Sequence, residues 1–257
     1  MGSADKGLLR ICFLGNLEVR FDSVLLPKFP TRKSTALFAK LVLNAGHIFQ
    51  RDVLGNLFWG SVSTDKAKKC LRTELWRIRS ILDHVGVDPD SFFLVGKHSI
   101  GFKSDSLYEL DVNAFECNLV RLLKIVPEEL SVSDFRKLLD SVEMYKGYLL
   151  ENVYEDWFVA QREVLHSQYM MALEHLMKYY KHNNNLDTAI NFGQKLLCHD
   201  PLLEHIHLEL IRCQYMKGNR PGAIKQYIKC RDILSEELGV SPMMETESVY
   251  RSILVNQ

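Results

Sequence analysis

The sequence predicts a mainly α protein in two parts: an N-terminal winged helix-turn-helix (α+β), then an all-α, TPR-like helical domain. Three observations carry this. Strand-like and helical periods mix over the first hundred residues, and only helical ones follow. Charge divides with them: 16 Lys+Arg against 10 Asp+Glu up to Asp105, then 16 against 22, which is +6 and −6 in a chain of zero formal net charge. A short stretch near residue 186 recurs 34 residues later, the TPR period. The 257 residues suffice for two cores, expected at 7–105 and 106–257. A neutral total argues against a nucleic-acid partner; a basic front and an acidic back argue for two modules with different partners.

At the front, 8–14 and 17–26 are rich in Leu, Ile, Val and Phe around the turn signal Gly15-Asn16, before Pro27 and Pro30 break the pattern. A helical period starts at Thr31, with Ala36, Leu37, Leu41 and Val42 as its stripe, and stops at Asn44-Ala45-Gly46. Arg32 and Lys33 lie in its first turn, where they oppose the helix dipole and so call for an anion. A short helix is expected at 51–59, stopped by Gly60, and Ser63-Thr64-Asp65 offers N-caps for the next.

That next helix, 64–82, organises the front half. At about 100° per residue, Ala67, Leu71, Leu75, Ile78 and Leu82 share one side. Lys66, Lys69, Thr73, Trp76, Arg77 and Ser80 share the other, with Lys68, Arg72 and Arg79 between them. Strand, turn and strand then follow at 92–102, with Lys97 and His98 at the tip. Alone, the helix reads as an ordinary solvated amphipathic element. The short helix before it and the hairpin after it make it the reader of a helix-turn-helix with a wing, suited to a DNA major groove. Lys69, Thr73, Trp76 and Arg77 are then expected nearest the base edges, with Arg72 less central. Lys66, Lys68, Arg79, Arg32 and Lys33 are expected on phosphates, with Lys97 and His98 on the wing. Trp76 has two readings: contact with a thymine methyl, or packing on the wing.

The rear half reads as helices at 131–145 and 155–180, the second with Trp157, Phe158, Leu165, Tyr169, Leu173, Leu176 and Tyr180 as its stripe. Trp157 is expected as a core anchor before a ligand contact. Leu186-Asp187-Thr188-Ala189-Ile190 recurs as Arg220-Pro221-Gly222-Ala223-Ile224, with a partner helix at 203–217 between them. Such pairs leave a surface for partners.

No P-loop or dinucleotide GxGxxG occurs, so no cofactor is expected. His205 and His207 stand about 200° apart on a helix and face different ways, which disfavours a metal site at Cys198, His199, His205 and His207. No catalytic triad or carboxylate pair stands out, and an enzyme is the least expected reading. The six cysteines are scattered without CxxC, and no apolar run has membrane-spanning length. The first six residues read as neither signal peptide nor acylation site. A cytoplasmic location is expected.

The front half also resembles a known family, through Leu14-Gly15, Leu17-Glu18-Val19, 41–46, Leu57-Phe58-Trp59-Gly60, 67–71, Leu75-Trp76-Arg77-Ile78-Arg79 and Gly101-Phe102. Over about 95 residues these resemble the OmpR-like winged helix in the form carried by antibiotic-regulatory-protein (SARP) activators. In the rear half, Tyr145-Lys146-Gly147, Asp156-Trp157 through Arg162, 199–204, Gly218-Asn219-Arg220 and 236–242 resemble the bacterial transcriptional activation domain (BTAD). The resemblance implies a DNA-binding transcription regulator without a phospho-receiver in front. It implies binding to direct repeats of double-stranded DNA as a homodimer, with recruitment of RNA polymerase. The helical half would dimerise, space the readers or sense a small effector such as a nucleotide messenger. A protein-interaction adaptor is the alternative.

Overall fold

Strict alternation marks a central strand of the first sheet. The computed structural model describes residues 7–255, so the reading of the first six residues lies outside the described part. In strand β1 (Leu9–Cys12), Leu9 and Ile11 are buried while Arg10 and Cys12 face out. It pairs antiparallel with β2 (Glu18–Phe21), which carries β3 (Val24–Leu25) on its far edge. Helix α1 (Arg32–Leu43) opens on Thr31, whose side chain accepts from Ser34 N while Ser34 Oγ accepts from Thr31 N. A cap of this kind is worth about 1 kcal/mol. Its Phe38 meets Phe13, Phe29 and Phe93, with ring centroids 4.8 to 6.4 Å apart.

Three-residue β4 (Ile48–Gln50) leads into α2 (Arg51–Trp59) and then α3 (Thr64–His84). Strands β5 (Phe93–Val95) and β6 (Ser99–Phe102) form the hairpin, and β4 adds to it in the order β4-β6-β5. Strand β7 (Tyr108–Leu110) then lies parallel to β1, completing the order β3-β2-β1-β7.

The chain divides into two compact units. One takes the described residues up to Phe115 together with Met144–Glu163; the other takes Glu116–Glu143 and the described residues from Val164 onward. This differs from the expected division at 105/106 in two ways. β7 closes the front sheet beyond residue 105, and a later stretch comes back to the front unit. The return has a physical cause. Past β1, Leu14 bridges Leu149, Gly15 N donates to Tyr148 O (3.0 Å), and Leu150 N donates to Phe13 O (2.8 Å). The half-buried Asp111 carboxylate accepts from Phe13 N and Leu14 N at 2.8 to 2.9 Å, so the backbone donors there are satisfied on both sides. Burial pushes this carboxyl above its usual range, against the pull of those donors.

Helices α4 (Asp111–Leu122), α5 (Val132–Met144) and α6 (Val159–His182) carry the chain from one unit to the other and back. The helix expected from 155 starts later, because Asp156–Phe158 forms a short 3-10 turn in front of it. Trp157 is therefore not part of the α6 stripe. It lies against Phe158 and Phe58 under the Lys40 ammonium, 4.3 Å from its ring, as an anchor of the front unit.

In the rear unit α7 (Leu186–His199), α8 (Glu204–Met216), α9 (Arg220–Leu238) and α10 (Met244–Val255) form successive pairs. The 34-residue repeat is visible in the caps: Asn185 and Asn219 each accept from the backbone N–H three residues on, and Asn184 and Gly218 before them both have positive φ. Gly193 brings α7 against Leu210 of α8; a Cβ there would lie 2.7 Å from Leu210 Cδ2. Ile211, Ala223, Tyr227 and Ile253 form a core joining α8, α9 and α10.

Candidate nucleic-acid interface

Helix α3 separates its faces as its period demands. Ala67, Leu71, Leu75, Ile78 and Leu82 are buried, and the opposite side is open to solvent. Lys66, Lys69, Arg72, Thr73 and Trp76 are all exposed there. Lys69, Thr73 and Trp76 lie along one line at i, i+4 and i+7. The Thr73 hydroxyl donates back to Lys69 O (3.0 Å), leaving its methyl and oxygen lone pairs outward. Trp76 is 65% exposed, so its indole is not covered by the wing.

The other cations of α3 are placed differently. Arg77, expected at the base edges, is paired within its own helix. Its Nη1 donates to Glu74 Oε1 (2.6 Å), and it is only 35% exposed on the side chain. Glu74 stands on the buried side, at 8% exposure, and its other oxygen accepts from Thr31 Oγ1 (2.7 Å). Thr31, Glu74 and Arg77 thus form one chain of bonds fixing α3 to the start of α1. Arg79 donates to Asp90 (2.7 Å), which steadies the turn before the hairpin; the pair lifts the guanidinium above and holds the carboxyl below their ordinary ranges. Lys33 is held by Glu155 (2.8 Å), and Arg32, exposed, lies 5.7 Å from the Tyr154 ring centre. Lys68 makes only an exposed pair with Asp52 (3.2 Å), which a phosphate could replace at little cost.

Between α3, the start of α2 and the wing lies a cleft of about 440 Å³. Arg51, Lys68, Arg72, Lys97 and His98 line it, with Asp52 as its carboxylate. Arg51 donates from Nε to Gly96 O (3.1 Å), and its backbone N donates to His98 O (2.9 Å), so α2 and the wing tip are tied together. Burial, and secondarily the nearby Arg72 charge, pull the Arg51 guanidinium below its ordinary value. Crowded cations of this kind favour an anion between them. A larger cleft of about 550 Å³ near Phe21, Val87, Phe92 and Leu107 carries Asp88, Asp105 and Lys103, a mixed set with no preference for a polyanion.

Four structural roles were not drawn from the sequence: those of Arg51, Glu74, Glu155 and Arg162. Arg162 donates to the carbonyls of Leu149 (2.7 Å), Leu150 (2.6 Å) and Val153, and so shapes the returning segment instead of facing solvent. Glu74 carried a readable signal, since a carboxylate within a core stripe needs a partner and Arg77 stands three residues on. Arg51 opens its helix against the dipole, as Arg32 and Lys33 do. Among the described residues no group of three or more potential ligands could hold a metal ion, and no helix is long and apolar enough to cross a membrane. His205 is exposed and His207 buried, so the two do face different ways.

Comparison with known proteins bears on both halves. Residues 110–254 match the family model of the bacterial transcriptional activator domain. The chain is 21% identical over 255 residues to transcriptional regulatory protein MoaR1 of Mycobacterium bovis, and equally to that of Mycobacterium tuberculosis, spanning 99% of this chain and 82% of each relative. It is 23% identical over 254 residues to regulatory protein AfsR of Streptomyces coelicolor, covering 97% of this chain and 24% of AfsR. A solved structure of Mycobacterium tuberculosis EmbR in complex with a low-affinity phosphopeptide has a similar fold, with TM-score 0.74 at 19% identity over 98% of this chain and 66% of that one.

Proposed function

This chain belongs to the bacterial transcriptional activator domain family, a family of transcriptional regulators, and on that premise we propose that it is a sequence-specific binder of double-stranded DNA. One observation carries the reading: the outward face of α3 stands open, cationic, and next to a cation-lined cleft against the wing. Helix α3 enters the major groove, with Lys69, Thr73, Trp76 and Arg72 toward the base edges. Lys66, Lys68, Lys97 and His98 meet phosphates, and Arg51 joins them. Arg32 reaches a neighbouring phosphate from α1. Arg77, Arg79 and Lys33 act at one remove, by holding the reader in place.

The helical domain, expected at 106–257, serves in this proposal to pair two copies on direct repeats and to contact RNA polymerase. An effector that changes the arrangement of the readers would act through it. Selection of bound genomic fragments with the purified protein, followed by titration of the recovered site at two salt concentrations, tests the core claim. Each phosphate contact contributes about 0.9 to the slope of log K against log salt, so the six contacts named here require a steep dependence. No enriched site and a flat titration would instead favour a protein-interaction adaptor.

A further inference from the structure

We infer that Trp76 sets sequence preference by reading the C5 methyl group of a thymine; the inference rests on the DNA-binding function proposed above. Among the exposed residues of the reader line, Lys66, Lys69, Arg72 and Thr73 are polar, and Trp76 alone offers a large apolar surface. It follows Lys69 by two turns, and it stands opposite the buried Leu71, Leu75 and Ile78. Packing on the wing would have covered it, and at 65% exposure it is not covered. Lys66, Lys69 and Arg72 beside it match a polyanion. An apolar protein partner would have to strip water from all three to reach the ring.

On a duplex presented to such a helix, the major groove offers one apolar feature, the thymine methyl. An indole gains from covering that methyl whatever the hydrogen-bond pattern around it. Thr73 and Lys69, one and two turns earlier, then read the adjacent pairs through hydrogen bonds. Trp76 thus supplies the apolar part of the readout, and its neighbours supply the polar part.

The test uses the full chain and the DNA site recovered by selection. Each thymine is replaced in turn by uracil, which removes the methyl and leaves every hydrogen-bonding group in place. The expected result is one position per half-site at which wild-type binding weakens about fourfold, the worth of one buried methyl-sized group. In Trp76→Ala the thymine and uracil sites should bind equally, while Trp76→Phe should keep part of the difference. Replacing that thymine–adenine pair by 5-methylcytosine–guanine should be tolerated better than replacing it by cytosine–guanine. Because Trp76 is exposed, the thermal midpoint of Trp76→Ala should match wild type, so lost binding cannot be ascribed to unfolding. An enriched site with a flat uracil scan overturns this inference alone, as does a uracil effect that persists undiminished in Trp76→Ala. Failure to enrich any site overturns the DNA-binding function beneath it.

Discussion

Helix α3 carries six cations, and they divide into two kinds that the sequence alone makes look alike. Lys66, Lys69 and Arg72 stand in solvent, and Lys68 shares only an exposed pair with Asp52. Arg77 and Arg79 are tied to Glu74 and Asp90. The first kind is available to a ligand; the second is part of the scaffold that aims it. A count of positive residues on a helix therefore overstates its interface, and the location of the nearest carboxylates corrects the count.

The contrast can be broken by mutation, and the largest effect should come from the scaffold side. Glu74→Ala removes one acceptor from Thr31 and another from Arg77 in a nearly closed site. It should lower folding stability by about 2–3 kcal/mol, read as a shifted urea midpoint. A midpoint unchanged from wild type would show the Thr31–Glu74–Arg77 chain to be idle. Next come the open cations. Lys69→Ala and Arg72→Ala should each weaken binding to the selected site by about 1–3 kcal/mol with no change in midpoint. Arg77→Ala should do the reverse, losing stability while keeping most of its sequence preference. If Arg77→Ala relaxed specificity at a defined base with its midpoint intact, the division between the two kinds would fail.

A third measurement separates the face from the rear unit. His207 is buried, its Nε2 donating to Pro201 O (3.1 Å) and its Nδ1 facing Gln226 Nε2 (2.7 Å), so both nitrogens are engaged as a neutral imidazole. Burial lowers its proton affinity below that of the unfolded chain. As pH falls through the ordinary imidazole range, the unfolded state takes up a proton that the folded state refuses. Stability is therefore full above that range and lost below it, at no more than about 1.4 kcal/mol per pH unit. His207→Gln should flatten the acid limb of the stability profile. The smallest effect belongs to Arg79→Ala: its pair with Asp90 is largely exposed on the carboxylate side, and its loss should cost about 0–1 kcal/mol in stability.

How much was readable follows from distance along the chain. Helix α2 begins and ends where its apolar positions and Gly60 place it, and the repeat could be read from 186 and 220 because its caps are local. β4 and β7 left no comparable trace. Each has three residues, and each is a strand only because a partner far away in sequence (β6 for β4, β1 for β7) supplies its hydrogen bonds. Trp157 read as the start of a helix stripe, since Phe158, Leu165 and Leu173 follow at helical spacing. Nothing local announces that Phe58 and Lys40, about a hundred residues earlier, would claim it. The candidate interface divides the same way. Periodicity gave Lys69, Thr73 and Trp76 their open side and set Glu74 within pairing distance of Arg77, whereas the bond from Thr31 that completes the chain needed the start of α1 in three dimensions.

The stretch Met144–Glu163 has a practical bearing on how such regulators are taken apart and recombined. A reader clipped after residue 105 or 115 would leave Leu14 without Leu149, Phe58 without Trp157 and Lys33 without Glu155. A chimera that exchanged only the first hundred residues between two relatives would join each reader to a foreign strap. Transplanting the N-terminal unit from one such protein to another therefore calls for two exchanges made together, the first hundred or so residues and the twenty that come home to them.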